Sequence, residues 1–204
     1  MGIVPLSLET LGRYIHLVGG LPGCKMMELG DQQMMAHPAI PEGIAAKQWF
    51  QQMGVAEHVS LDMNGLLGSL VEDLSKPITR PEWHEHFDVV TDFGTSEHVG
   101  PNAAALWQCR ENVHRFCRPG GLMVFMNPKT LHWPGHGCHY FTREHYEKVA
   151  EAAGYKVLEI SEHPTCGNSI DGFQIHAVFQ KQVSAPFIPK DQYLQLCQTT
   201  VFTR

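Results

Sequence analysis

The chain has no Cys-x-x-Cys pair, no run of basic residues and no uninterrupted apolar stretch long enough to span a membrane. Each absence excludes something. Without paired cysteines, the common structural zinc modules are ruled out. Without a basic patch, and with a net charge of -6, a nucleic-acid phosphate footprint is not expected. Without an apolar run of about 20 residues, no transmembrane helix is expected. The six cysteines, Cys24, Cys109, Cys117, Cys138, Cys166 and Cys197, stand singly. They read as buried or free thiols in a reducing compartment. The first residues lack a charged n-region, and Leu6 occupies the position where myristoylation requires Ser or Thr. A cytoplasmic location follows as the expectation.

What is present suits one globular domain: 204 residues, 43% of them apolar, with no internal repeat and no low-complexity linker. Residues 1–24 are expected to carry an N-terminal helix, with Leu8, Leu11 and Ile15 on one face, ended by the Gly19–Gly23 breaker. Residues 25–182 would form the core, and 183–204 a tail with a short helix from Asp191 to Cys197. Within the core, strands are predicted at 25–30, 58–62, 71–74, 87–91, 121–126, 155–160 and 172–180. Helices are predicted from Pro41 to Met53, from Asn102 to Phe116, and from a Thr142 cap to Gly154. Strands and helices alternate through five units, and two strands joined by a short turn follow. That order predicts an α/β fold: a mostly parallel seven-stranded sheet with an antiparallel edge strand and helices on both faces.

The most informative segment is Phe87–Val99, FDVVTDFGTSEHV. An apolar strand runs directly into a polar cluster, and in open parallel sheets ligands sit beyond the carboxyl ends of strands. One helix later, Arg118-Pro119-Gly120-Gly121 introduces the next strand. This order resembles the second half of the class I S-adenosylmethionine (SAM) dependent methyltransferases. The resemblance covers roughly residues 25–180. It implies the Rossmann-like methyltransferase fold, SAM as cofactor and methyl transfer to an oxygen, nitrogen or carbon of an acceptor. With the acidic balance, a small-molecule acceptor is expected, with no nucleic-acid or membrane partner.

The resemblance also implies site residues. Glu28-Leu29-Gly30 is similar to the start of the family's first motif, Glu-x-Gly-x-Gly-x-Gly. The chain departs from it at once: Asp31-Gln32-Gln33 follow, and the second and third glycines are missing. Asp62, ending the second strand, corresponds to the acid that accepts hydrogen bonds from the ribose hydroxyls. Asp73-Leu74 is similar to the adenine contact. Thr91, Asp92, Phe93 and Gly94 lie where the fourth motif closes over the methionine part. Glu97-His98-Val99 resembles the Glu-His-(Val/Ile) of many small-molecule methyltransferases.

After the fifth strand comes a histidine-rich loop, NPKTLHWPGHGCHY, placing His132, His136 and His139 at the same sheet edge as His98. A neutral imidazole there can take a proton from an acceptor. The candidate catalytic groups are therefore His98, His136 and Glu97. His132, His136, His139, Cys138 and Glu97 offer imidazole, thiolate and carboxylate ligands, but their spacing matches no standard metal site, so no metal is expected. Two other readings stay open. One is a metal-dependent hydrolase or oxygenase that uses the loop histidines. The other is a methyltransferase-like fold kept as a non-catalytic binding module. His84 and His86, before the fourth strand, read as solvated surface residues.

Overall fold

Continuous apolar runs in the central strands build a sheet buried from two sides. The computed structural model describes residues 2–35, 40, 43–164 and 172–203. The sheet has seven strands: β1 Lys25–Leu29, β2 Glu57–Asp62, β3 Leu70–Val71, β4 Phe87–Phe93, β5 Cys117–Pro128, β6 Lys156–Pro164 and β7 Phe173–Gln180. Their spatial order is β3-β2-β1-β4-β5-β7-β6. The first five are mutually parallel. β7 runs antiparallel to both neighbours. The chain leaves β1 toward one edge through β2 and β3, then returns to place β4 on the other side of β1. The carboxyl ends of β1 and β4 thus form the switch point where such folds bind ligands.

Among the described residues, five α-helices cover the sheet: α1 Pro5–Tyr14, α2 Ala46–Gln52, α3 Ala103–Phe116, α4 Arg143–Ala153 and α5 Lys190–Thr200. On one face Met26, Val89, Val124 and Val178 pack with Leu11 of α1 and Phe50 of α2. On the other, Met27, Val90, Met123 and Ala177 pack with Leu106, Val149 and Tyr193 of α3, α4 and α5. Adjacent residues of one strand feed opposite cores, as the two-residue period of a strand requires. Asn102 caps α3 by accepting from the Ala105 amide, and Thr142 caps α4 by accepting from the His145 amide. The Arg118 turn is structural: its guanidinium bonds Asp88, whose other oxygen accepts from the Lys25 amide.

Several elements depart from expectation. The antiparallel strand sits one place in from the edge, and β6 takes the edge. Burial explains the exchange. Ile175, Ala177 and Val178 of β7 are fully enclosed, whereas β6 carries Lys156, Glu159, Glu162 and His163 and suits a half-solvated edge. α2 begins at Ala46, after Gly43 in the left-handed region; Pro41 lies outside the described residues, as does Cys166. The tail helix is longer than expected, and Val201–Thr203 then pairs antiparallel with His139–Phe141. A further two-stranded ladder joins Gly2–Ile3 to Gln33–Met34. His86 is half-buried and its Nε2 lies 2.7 Å from Glu57 Oε2, while His84 is exposed as expected. Among the described residues, five cysteines are free, and no helix is long and apolar enough to cross a membrane.

Candidate active site

A cleft of about 470 Å³ opens at the carboxyl ends of β1, β2 and β4. Gly30, Asp62, Asp73, Leu74 and His98 line it, together with Asp31, Gln32, Thr95 and His136. Gly30 adopts φ +84°, and a Cβ there would stand 2.3 Å from Thr95 Oγ1 and 2.8 Å from Gln32 Nε2. Only glycine fits this turn. Thr95 Oγ1 donates to the Leu29 carbonyl, and Gln32 Nε2 donates to Thr95 Oγ1. Side chains of Gln32 and Thr95 therefore shape the loop where the resembled family uses glycines. Gln32 is buried, and its Oε1 has no hydrogen-bond partner.

Asp62 Oδ2 accepts from the Asp31 amide at 2.9 Å, and Oδ1 from the Asn64 amide at 3.0 Å. Each oxygen keeps a second lone pair for a ligand hydroxyl. Desolvation and then the nearby Asp62 charge raise the Asp31 carboxyl. Asp73 Oδ1 accepts from the Ser75 amide and hydroxyl, and these bonds hold its carboxyl below the ordinary value. Asp73 thus shapes a turn with one oxygen and leaves the other open. The exposed Met63 and buried Leu74 add apolar walls.

Five expected cofactor residues are placed elsewhere. Glu28 is buried behind the cleft, 3.8 Å from His58 Nε2, and burial pushes its carboxyl well above the usual range. Thr91 pairs in register with Glu28 and is fully buried. Asp92 is a structural hub. It accepts from the amides of Thr95 and Ser96, from Ser96 Oγ, from Arg110 at 3.0 Å and from Asn127 Nδ2. Phe93 and Gly94 do not touch the large cleft. They line a second cavity of about 220 Å³ with Val4, Met35, Met126, Trp133 and Gln174. The strand's period of two accounts for the division: Thr91 and Phe93 point to the α1–α2 side, Asp92 toward α3.

The two cavities meet at His136, which lines both; Glu97 lines the smaller and His98 the larger. Glu97 is buried. Its Oε2 accepts from Asn127 Nδ2 at 3.0 Å. Its Oε1 lies 3.7 Å from His98 Nε2 and 3.6 Å from His136 Nε2. The histidine loop is pressed onto this turn at Gly137, where a Cβ would stand 2.8 Å from the Glu97 carbonyl oxygen. The Cys138 amide donates to that same oxygen at 2.7 Å. Leu131 and Trp133 both hold positive φ. His132 and His139 go elsewhere. The His132 ring faces Phe173, and buried His139 contacts the Val99 carbonyl and Thr203 Oγ1. Gln32, Thr95, Asn127 and Trp133 are the site-shaping residues that motif reasoning missed. A buried Asn straight after an apolar strand and a glycine between two histidines were the available signals.

No protein-family model matches the chain, and no curated protein matches it in sequence. Solved structures do match in fold. One is the 1,6-didemethyltoxoflavin-N1-methyltransferase of Burkholderia thailandensis, solved with 1,6-didemethyltoxoflavin and S-adenosylhomocysteine bound. It has TM-score 0.62 at 12% identity over 88% of this chain and 79% of that one. The N-methyltransferase NodS of Bradyrhizobium japonicum gives 0.56 at 16%, over 88% and 98%. The [4+2]-cyclase SpnF gives 0.60 at 10%, over 88% and 80%. The chain has the Rossmann-like fold of the class I SAM-dependent methyltransferases.

Proposed function

We propose that the chain is a SAM-dependent methyltransferase acting on a small-molecule acceptor. The observation that carries this reading is the pair of cavities that share His136 as a wall. The larger has the size and donor set for a nucleoside with an amino-acid tail, and the smaller is walled by Phe93, Met126 and Trp133. Three features fit the cofactor. Asp62 keeps lone pairs for ribose hydroxyls. Leu74 and the open oxygen of Asp73 suit a purine. The orphaned Gln32 Oε1 is an acceptor available to the ammonium of the methionine part. When bound, SAM supplies a methyl group on a sulfonium.

The chain's own work is alignment and proton removal. Phe93, Met126 and Trp133 hold an apolar or aromatic acceptor of one or two rings; an engineered cavity of about 150 Å³ holds benzene. An Nε2 of His98 or His136 accepts the acceptor's proton as its lone pair is used. The buried Glu97 carboxylate stabilises the resulting imidazolium. The smaller cavity's apolar walls keep water from competing.

Calorimetric titration with S-adenosylhomocysteine tests the cofactor assignment. Binding is expected, and Asp62→Ala should weaken it by about 1–3 kcal/mol, the worth of hydrogen bonds to a charged group. No heat and no thermal shift with millimolar ligand would overturn the assignment. The SpnF likeness shows that this fold also hosts other chemistry, so a positive titration must be followed by a screen of hydroxyl- and amine-bearing acceptors.

A further inference from the structure

We propose that Glu97, His98 and His136 bind one first-row divalent transition-metal ion. The three side chains offer a carboxylate oxygen and two imidazole nitrogens that all lie within 4.8 Å of one another. Both imidazoles direct Nε2 at the same oxygen, at 3.7 and 3.6 Å. Those separations are too long for hydrogen bonds. They suit a shared ion: two ligand atoms each about 2.1 Å from a metal stand about 3.6 Å apart when the bonds open at about 120°. Two nitrogens and one oxygen form a donor set for zinc, iron or cobalt rather than for magnesium or calcium.

The surroundings are built for such a site. Asn127 Nδ2 holds the rear oxygen of Glu97, which leaves Oε1 facing the imidazoles; metal-binding carboxylates are commonly fixed this way. The His136 ring rests on Trp133, with ring centroids 5.1 Å apart, and Gly137 presses the loop onto Glu97. Both histidine side chains are about one-third exposed, so an ion has an entry path from the cleft. The ligands come from the β4–α3 turn and the loop after β5. For that reason the spacing of His132, His136 and His139 gave no sign of the site.

Three protein ligands leave coordination positions open where the cavities meet. An acceptor with an oxygen or nitrogen lone pair would be ligated there. The ion would then do the work assigned above to a free imidazole, lowering the acceptor's pKa so that its proton leaves to water. That use rests on the methyltransferase reading; occupancy of the site does not.

The test uses the full chain stripped with a chelator. Zinc is titrated by calorimetry, and cobalt(II) is followed by its visible d–d absorption. One ion per chain is expected, with Kd of about 10 μM or tighter. His98→Ala and His136→Ala should each weaken binding by about tenfold or more, whereas His132→Ala should leave it unchanged. The first two positions are partly exposed, and thermal melts check that the variants fold. Absence of saturable one-to-one binding in the wild type overturns the proposal, and so does unchanged affinity in both variants. S-adenosylhomocysteine titrated into the same samples separates the two readings. Binding of it without zinc rejects the metal site alone; zinc binding without it rejects the cofactor assignment alone.

Discussion

Lowering the pH from 7 to 5 should reveal how much of this core rests on histidines kept neutral by burial. His58, His114 and His176 are each buried, and burial lowers each from 6.5 to about 4. The hydrogen bonds of His114 show why. Its Nε2 must carry the hydrogen, because it donates to the Ala185 carbonyl at 2.6 Å. Its Nδ1 then accepts from the Tyr155 hydroxyl at 2.7 Å, and a second proton would abolish that bond. His176 Nδ1 meets Thr10 Oγ1 at 2.8 Å, and its Nε2 has no partner. In the unfolded chain these groups take protons below about pH 6.5, while the native state resists until about pH 4. Each therefore contributes stability above 6.5 that is lost as pH falls toward 4. At pH 5 the loss is about 2 kcal/mol per histidine by linkage. For a chain of this length that is about 4–8 °C in Tm for each group. Glu28 works in the opposite direction, since burial keeps it protonated in the native state above the pH at which the unfolded chain ionises. Single variants isolate His114 and His176 from this offset, whereas His58 lies 3.8 Å from Glu28 and its variant reads the two groups together. The Tm difference between pH 7 and pH 5 should shrink by about 4–8 °C in His114→Gln and His176→Gln. If both variants lose as much Tm as the wild type, the buried-neutral account is refuted.

Two further perturbations test the framework of the site. Asp92→Ala leaves the Arg110 guanidinium buried without a carboxylate partner, held by Asn127, a long contact to Tyr146 and the Phe125 ring face. Breaking such a pair costs about 3–5 kcal/mol, so a Tm drop of about 6–20 °C is expected by calorimetry, and a drop under about 3 °C would contradict the hub assignment. Gly30→Ala and Gly154→Ala share positive φ, but an added Cβ meets Thr95 and Gln32 only at Gly30. Gly154→Ala should cost about 1–2 kcal/mol in urea unfolding, and Gly30→Ala about 1–3 kcal/mol more, together with weakened S-adenosylhomocysteine binding. Equal costs would mean that close approach plays no part at Gly30.

The fold was legible where local chemistry decides it. Apolar runs marked β4 and β5, and alternation of apolar residues marked β7. Asn102, Thr142 and Gly154 marked the ends of helices with cap chemistry that operates over three or four residues. The position of β7 was not legible, because strand order depends on which strand buries more of both faces. The tail strand Val201–Thr203 was missed because it exists only through pairing with His139–Phe141. At the site, Gly30, Asp62, Asp73 and Leu74 follow from their place at strand ends. Asp92 shows the limit of that inference. An acid at the end of a strand reads as a ligand contact until Arg110, 18 residues later on α3, proves to be its partner. A helix face carrying Arg110 beside Leu106 and Val113 was the one local hint that a buried positive charge awaited a partner.

That hub also explains why the reactive groups face where they do. Asp92 fixes the turn after β4 through the Thr95 and Ser96 amides. Arg110 and Tyr146 hold Asn127 Oδ1 from below, at 3.1 and 2.5 Å. With its oxygen engaged, Asn127 can turn only its amide nitrogen toward Asp92, Ser96 and Glu97. A buried carboxylate is costly unless donors surround it. Here the donor comes from behind, so the remaining oxygen of Glu97 has to be satisfied from the cavity side. Two imidazoles approach it from that side, and neither is close enough to bond. The polarity of the interior therefore ends at an acceptor atom where the cavities join. An ion, a proton on one imidazole, or a donor group of the acceptor can satisfy it, and each of these belongs to the chemistry of the site rather than to the stability of the fold.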